Sequence, residues 1–202
     1  MQKLPSLSRL LICIAALMLI MLYFVPFWQI LMWAPQYPEW LTMKIWINNI
    51  TGDVDIINGL NHYIGMKHIK LEMFKEFKIM PYIVAALIVL GLLAAFWGRR
   101  VGARVYLGLL IITGIAGMVD FYMWGYDYGH NLDPTAAIKV PGMAYQPPLI
   151  GTKELLNFIA YSGPDIGGWV VIVAGVFTII AVLADIYRQQ LKSKFKIVAG
   201  LL

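Results

Sequence analysis

The sequence predicts an all-α membrane protein: four transmembrane helices with a folded extracytoplasmic cap made of two long loops. Three observations predict it. Of the 202 residues, 60% are hydrophobic and 13% charged, with a mean hydropathy of +0.73, whereas a soluble domain carries roughly 25% charged residues. Apolar runs long enough to cross roughly 30 Å of hydrocarbon recur four times along the chain. The net charge of +5 comes from lysines and arginines crowded at the ends of those runs, as in membrane flanks rather than a nucleic-acid surface. The length suits a single membrane domain over residues 1–202.

The first span is expected over about Leu10–Trp33, with Pro26 near its outer end. It follows Lys3 and Arg9 as a signal peptide would, but its length and the absence of a small-x-small cleavage site predict a retained signal-anchor helix. The second is expected over Pro81–Trp97, with proline in the first turn, where a missing N–H costs nothing. The third covers Val105 to about Trp124, and a link carrying Arg99, Arg100 and Arg104 makes spans two and three a tight hairpin. The fourth covers Trp169–Tyr187. Lys3, Arg9, Arg99, Arg100, Arg104, Arg188, Lys192, Lys194 and Lys196 fall on one side with a single acid, Asp185. The positive-inside rule places that side, and both termini, in the cytoplasm. Gly91, Gly108, Gly114, Gly117 and Gly175 are expected to let helices approach closely. Within the spans only Thr113 and Thr178 are deeply placed polar residues, which argues against ion or solute transport through the bundle. Cys13 is alone, so no internal disulfide or CxxC site forms.

Two long segments, about 34–80 and 125–168, lie outside the spans. In the first, Met43, Ile45 and Ile47 alternate with other residues, which suits a short strand, with Thr51-Gly52-Asp53 as a turn. A helix is expected from about Gly59 or Leu60 to Lys78. In the second, prolines and glycines impose an irregular course until Thr152, which reads as the N-cap of a short amphipathic helix over Lys153–Tyr161. Asp120, near the outer end of span three, is expected to pair with Lys78 or Lys139.

The chemistry of these segments points to a soft metal. All three histidines, His62, His68 and His130, lie there, with Met43, Met66, Met73, Met80, Met123 and Met143 there or at the membrane edge. His62 and Met66 are four apart, as are Met123 and Asp127, and His130 lies three beyond Asp127. On helices such spacings share a face. Imidazole and thioether suit copper, thioether favouring Cu(I) and carboxylate adding affinity for Cu(II). The candidate ligands are therefore His62, Met66, His68, Met123, Asp127 and His130, with copper the one cofactor suggested. No Ser-His-Asp order, nucleophile elbow, phosphate loop, dinucleotide fingerprint or HExxH motif appears, so no enzyme activity is expected.

The runs NGLNHYIGMKHI (Asn58–Ile69), YDYGHNLDPTAAIKVPGMAYQPPLIGTK (Tyr126–Lys153) and LLNFIAYSGPDIGGW (Leu155–Trp169) carry a resemblance. They resemble a family of small four-span membrane proteins found largely in Bacteroidetes and associated with nitrous oxide reductase gene clusters, beside the copper chaperone lipoprotein of that system. The similarity covers most of the chain. It implies a role in maturing, or delivering copper to, a periplasmic copper enzyme. The partners it implies are the lipid bilayer, a copper chaperone lipoprotein, a copper reductase or other membrane-complex subunits. The alternative is a non-catalytic structural subunit of a larger membrane complex. A metal-bearing oxidase subunit would need at least three converging nitrogen or oxygen ligands, and the chain has only three histidines.

Overall fold

A computed structural model describes residues 3–138, 142 and 144–199, with side chains described as far as residue 191. The expected Lys139 and Met143, and the side chains of Lys192, Lys194 and Lys196, lie outside the described residues. Four helical segments are long and apolar enough to cross a membrane: Ser6–Tyr23, Glu76–Trp97, Arg100–His130 and Ile166–Leu191. The chain is nevertheless not purely α-helical, because a five-stranded antiparallel sheet accompanies the helices.

In chain order the elements are α1 (Ser6–Met18), a 3-10 turn (Leu19–Tyr23), β1 (Trp28–Trp33), β2 (Leu41–Ile45), β3 (Ile50–Gly52) and α2 (Val54–Tyr63). A second 3-10 turn (Leu71–Met73), α3 (Glu76–Trp97), α4 (Arg100–His130), β4 (Gly151–Leu155), β5 (Phe158–Pro164) and α5 (Ile166–Ala199) follow. The residues separate into two compact units, one of 1–21, 82–114 and 170–202, the other of 22–81 and 115–169.

The first unit is helix against helix. Leu4, Ile12, Ala94, Ala95, Ala103, Tyr106, Ala181 and Val182 form its core. Small residues are used where the backbones come closest. A Cβ on Gly91 would stand 2.6 Å from the Tyr106 ring and 2.7 Å from Ala16, so glycine is required there, as expected. At Gly108, Gly114, Gly117 and Gly175 a Cβ would meet nothing within 4 Å. Among the described residues, none of those four sits at a close helix approach.

Polar contacts join the chain start, the α3–α4 link and α5. Leu4 N–H donates to Gly98 O at 2.7 Å, and Lys3 bridges Arg99 in antiparallel fashion. Arg9 donates from Nε to Ala95 O and from Nη2 to Phe96 O, both at 2.8 Å. These last carbonyls of α3 have no intrahelical partner, so the guanidinium acts as a C-terminal cap. Ser8 Oγ donates to Ala181 O at 2.9 Å, and Arg100 Nε meets the buried carboxylate of Asp185 at 3.0 Å.

The second unit is built on the sheet, in the order β3-β2-β1-β5-β4. β1 lies at its centre, pairing Ile30 with Met43 of β2 and Met32 with Ala160 of β5. Trp28, Ile30, Leu41, Met43 and Ile45 face α2 residues Ile57 and Leu60 in one apolar core. Alternate strand residues share a face, so this set follows from the period of two. Trp28 buries its ring and satisfies Nε1 by donating to Ser162 Oγ at 2.8 Å.

The first helical span ends at Tyr23, not Trp33. Pro26 stops the helix, and the aromatic and β-branched residues after it pair on both sides as β1. Residues 153–161 form no helix: they are the β4–β5 hairpin, with Leu155 opposite Phe158. Its two-residue turn holds Leu156 at φ +60°, a left-handed conformation that costs a non-glycine residue roughly 1 kcal/mol or more. No helix runs from 60 to 78 either. α2 stops at Tyr63, and α3 begins at Glu76, five residues before Pro81, so the proline lies inside the helix rather than in its first turn and one intrahelical bond is missing there. The strand expected around Met43 and Ile45 is present as β2. Thr51 and Gly52 are the end of β3 rather than a turn between strands.

Candidate metal and ligand site

The end of α2 is set by a glycine. Gly65 has φ +81°, its N–H donates to His62 O at 3.3 Å, and Met66 N–H donates back to Asn61 O at 2.9 Å. This is the paired-bond helix stop in which a left-handed glycine satisfies the last carbonyls. His62 and Met66 therefore do not share a helical face. His62 remains exposed on the last turn, while Met66 turns inward onto the sheet core.

The segment after Gly65 is held at every residue. Asn58, buried inside α2, donates from Nδ2 to Ile69 O at 3.0 Å and accepts Ile69 N–H at 2.7 Å. Tyr128 Oη donates to His68 O at 3.1 Å. Lys67 Nζ lies 2.6 Å from Asp127 Oδ2, and Gly65 O accepts Asp133 N–H at 2.8 Å. In this frame Met66 and Ile69 face inward, and Lys67 and His68 outward. The His62 and His68 rings come together with centroids 6.0 Å apart. Both are exposed, so a solvated ion can reach them.

The other predicted ligands sit differently. Asp127 is engaged by Lys67 and by Asn131. The His130 ring stacks on Tyr126 at 3.9 Å, with Nδ1 3.0 Å from Tyr126 O. Met123 is exposed on α4. Among the described residues no three of His, Cys, Asp and Glu gather as a metal centre. The six candidates thus resolve into one histidine pair, an inward-turned methionine, and three α4 residues engaged or exposed elsewhere. Asp120 is not in any of the ion pairs of the described residues, which join Lys44–Asp165, Lys67–Asp127 and Arg100–Asp185.

Behind the histidine-bearing segment lies a cavity of about 50 Å³ between the sheet and α2. Its wall is nearly all apolar and includes three methionines, Met32, Met43 and Met66, with Trp124 and Tyr145. The register explains the opening. Met32 of β1 lies opposite Ala160, whose single methyl leaves depth that a larger residue would fill. Tyr145 is 2% exposed, and its hydroxyl has no hydrogen-bond partner among the described residues. The loop that carries it is seated tightly. Tyr145 N–H donates to Gly129 O at 2.9 Å, and a side chain on Gly129 would collide with the Gln146 backbone. Met32 and Tyr145 went unremarked in the sequence, Met32 because it is embedded in an apolar run that reads as membrane span. In comparisons with known proteins, no family model, curated protein or solved structure matches this chain.

Proposed function

We propose that this chain is an inner-membrane accessory protein that handles copper for a periplasmic copper enzyme, such as nitrous oxide reductase. In this reading His62 and His68 form an exposed, transient copper site, and a copper chaperone lipoprotein or copper reductase docks beside them. The observation that carries it is the His62–His68 pair, brought together on a segment fixed by Asn58, Tyr128 and Lys67. Two imidazoles bind copper well but incompletely, leaving positions open for a partner's ligands. An incomplete site of that kind suits transfer rather than storage. The cation-rich flanks support the sidedness. With both termini and the α3–α4 link cytoplasmic, chain order puts residues 24–75 and 131–165 in the periplasm. The resemblance of Asn58–Ile69 and Tyr126–Trp169 to a family of nitrous oxide reductase gene clusters supports the choice of metal.

The test is copper binding by the purified protein, comparing wild type with a His62→Ala, His68→Ala double variant. The expected result is loss of affinity by about 10- to 100-fold in the variant. Unchanged binding, or none in wild type, removes the claim.

One observation favours the second reading, a structural subunit of a larger complex. Only 6% of the most apolar stretch of α4 is buried within the chain, against 28–33% in the other spans. Gly108, Gly114 and Gly117 leave that helix open to a close neighbour. Mass spectrometry after mild-detergent purification is expected to find a bound membrane partner if this reading holds, and the chain alone if it does not.

A further inference from the structure

We infer that the cavity bounded by Met32, Met43 and Met66 is a second, buried site that takes a soft monovalent cation, copper(I), through thioether sulfur. This rests on the copper-handling reading for its biological sense, but not for its chemistry.

The three methionines come from three elements that the fold fixes independently. Met32 and Met43 stand on one face of adjacent strands, one register step apart, since Ile30 opposes Met43 and Met32 opposes Leu41. Such diagonal neighbours lie roughly 7–8 Å apart at the backbone, within reach of long flexible side chains. Met66 enters from the opposite wall, placed there by the helix stop at Gly65 and the bonds from Asn58. All three line a space of about 50 Å³. That is well below the ~150 Å³ of a cavity that holds benzene, and above what one small occupant needs.

The lining decides which occupant. Three neutral thioethers bring no charge and little hydrogen bonding, so they cannot repay the dehydration of a hard ion such as sodium or magnesium, nor that of doubly charged zinc. Copper(I) is weakly hydrated and prefers sulfur. Trp124 also lines the space, and an indole ring is a favourable neighbour for a cation. The Tyr145 hydroxyl, without a partner among the described residues, supplies an oxygen lone pair. The same short segment presents His62 and His68 outward and Met66 inward, so an ion captured by imidazole has a sulfur ligand directly behind it. No electron transfer is involved: the ion enters and leaves as copper(I).

The experiment uses the full chain in detergent with methyl-13C methionine, titrated with Ag(I) as a redox-inert stand-in for copper(I). It is run in the His62→Ala, His68→Ala background, so that those imidazoles do not contribute. The expected result is that one equivalent moves the Met32, Met43 and Met66 methyl signals and leaves Met73 and Met123 in place. Zn(II) should move none of them. Replacing the three with leucine keeps volume and packing and is expected to weaken Ag(I) binding by at least about 100-fold. Shifts confined to other methionines, or equal affinity in the leucine variant, would overturn the site. The spectrum of the histidine-free protein with all its methionines in place carries the test even if the triple variant folds poorly. Filling of this site in the histidine-free background, with no contribution from His62 and His68 in wild type, would remove the delivery reading and leave this one standing.

Discussion

Replacing Arg100 with leucine is expected to destabilise the helical unit by about 3–5 kcal/mol, the usual cost of stranding one member of a buried ion pair. The carboxylate of Asp185 is only 3% exposed, and the Arg100 side chain 16%. Gln189 Nε2 donates to the second oxygen of Asp185 at 2.7 Å, so the carboxylate keeps one neutral donor but loses its countercharge. A charge left in that position is largely shut off from water and has no second cation among the described residues. Removing both charges with an Arg100→Leu, Asp185→Leu double variant is expected to recover most of the loss, since apolar replacements of buried pairs are often neutral or better. Thermal unfolding in detergent checks both. Equal loss in the single and double variants would show that packing, not charge pairing, dominates. The Lys67–Asp127 pair makes a useful contrast, because both partners are over 40% exposed and such pairs contribute roughly 1 kcal/mol or less.

Asn58→Leu is expected to cost about 2–4 kcal/mol, from two lost hydrogen bonds and two stranded backbone groups. The substitution keeps side-chain volume, so cavity formation adds little. Ile69 is 6% exposed, and water does not readily replace the amide as partner. The effect should be local before it is global: amide hydrogen exchange at Ile69 and its neighbours rises ahead of the β1–β5 strands. If the proposed copper sites exist, their affinity should fall with it, because the segment that holds His68 beside His62 and Met66 in the cavity is released. Unchanged exchange at Ile69 would mean that the segment is held by Tyr128 and Lys67 alone.

How much of this was legible in the sequence varies with the range of the interaction that decides each element. Spans depend on composition over about 20 residues, so four were visible, with ends in error where a local signal was overridden. Leu10–Trp33 read as one apolar run because membrane helix and central strand are equally hydrophobic. Pro26 was the available sign of the break. β1 pairs with nearby β2 on one side and on the other with β5, more than 120 residues away, and no local pattern encodes the second pairing. Lys153–Tyr161 has apolar residues at helical spacing, yet Leu155 and Phe158 face each other across a turn, so tertiary pairing outweighed local propensity. β2 was legible because Met43 and Ile45 alternate cleanly.

The candidate site was legible in its residue types but not in its geometry. The segment holding His62, Met66 and His68 was in view, and copper is the metal proposed for those residue types. What the spacing concealed was Gly65, whose positive φ sends Met66 to the interior and leaves the histidines outside. Met32 could not be linked to Met66 without the sheet register. Asp127 and His130 fell on one helix as expected, but Lys67 and Tyr126 occupy them.

Everything functional in this account depends on the sheet-bearing segments facing the periplasm. The direct measurement is accessibility of single cysteines in intact spheroplasts. The one native cysteine, Cys13, is first replaced with serine, and Lys70→Cys or Arg99→Cys, both exposed positions, is then introduced. A membrane-impermeant maleimide should label position 70 at once and position 99 only after permeabilisation. The reverse pattern would place His62 and His68 in the cytoplasm, and a periplasmic role in copper handling could not stand.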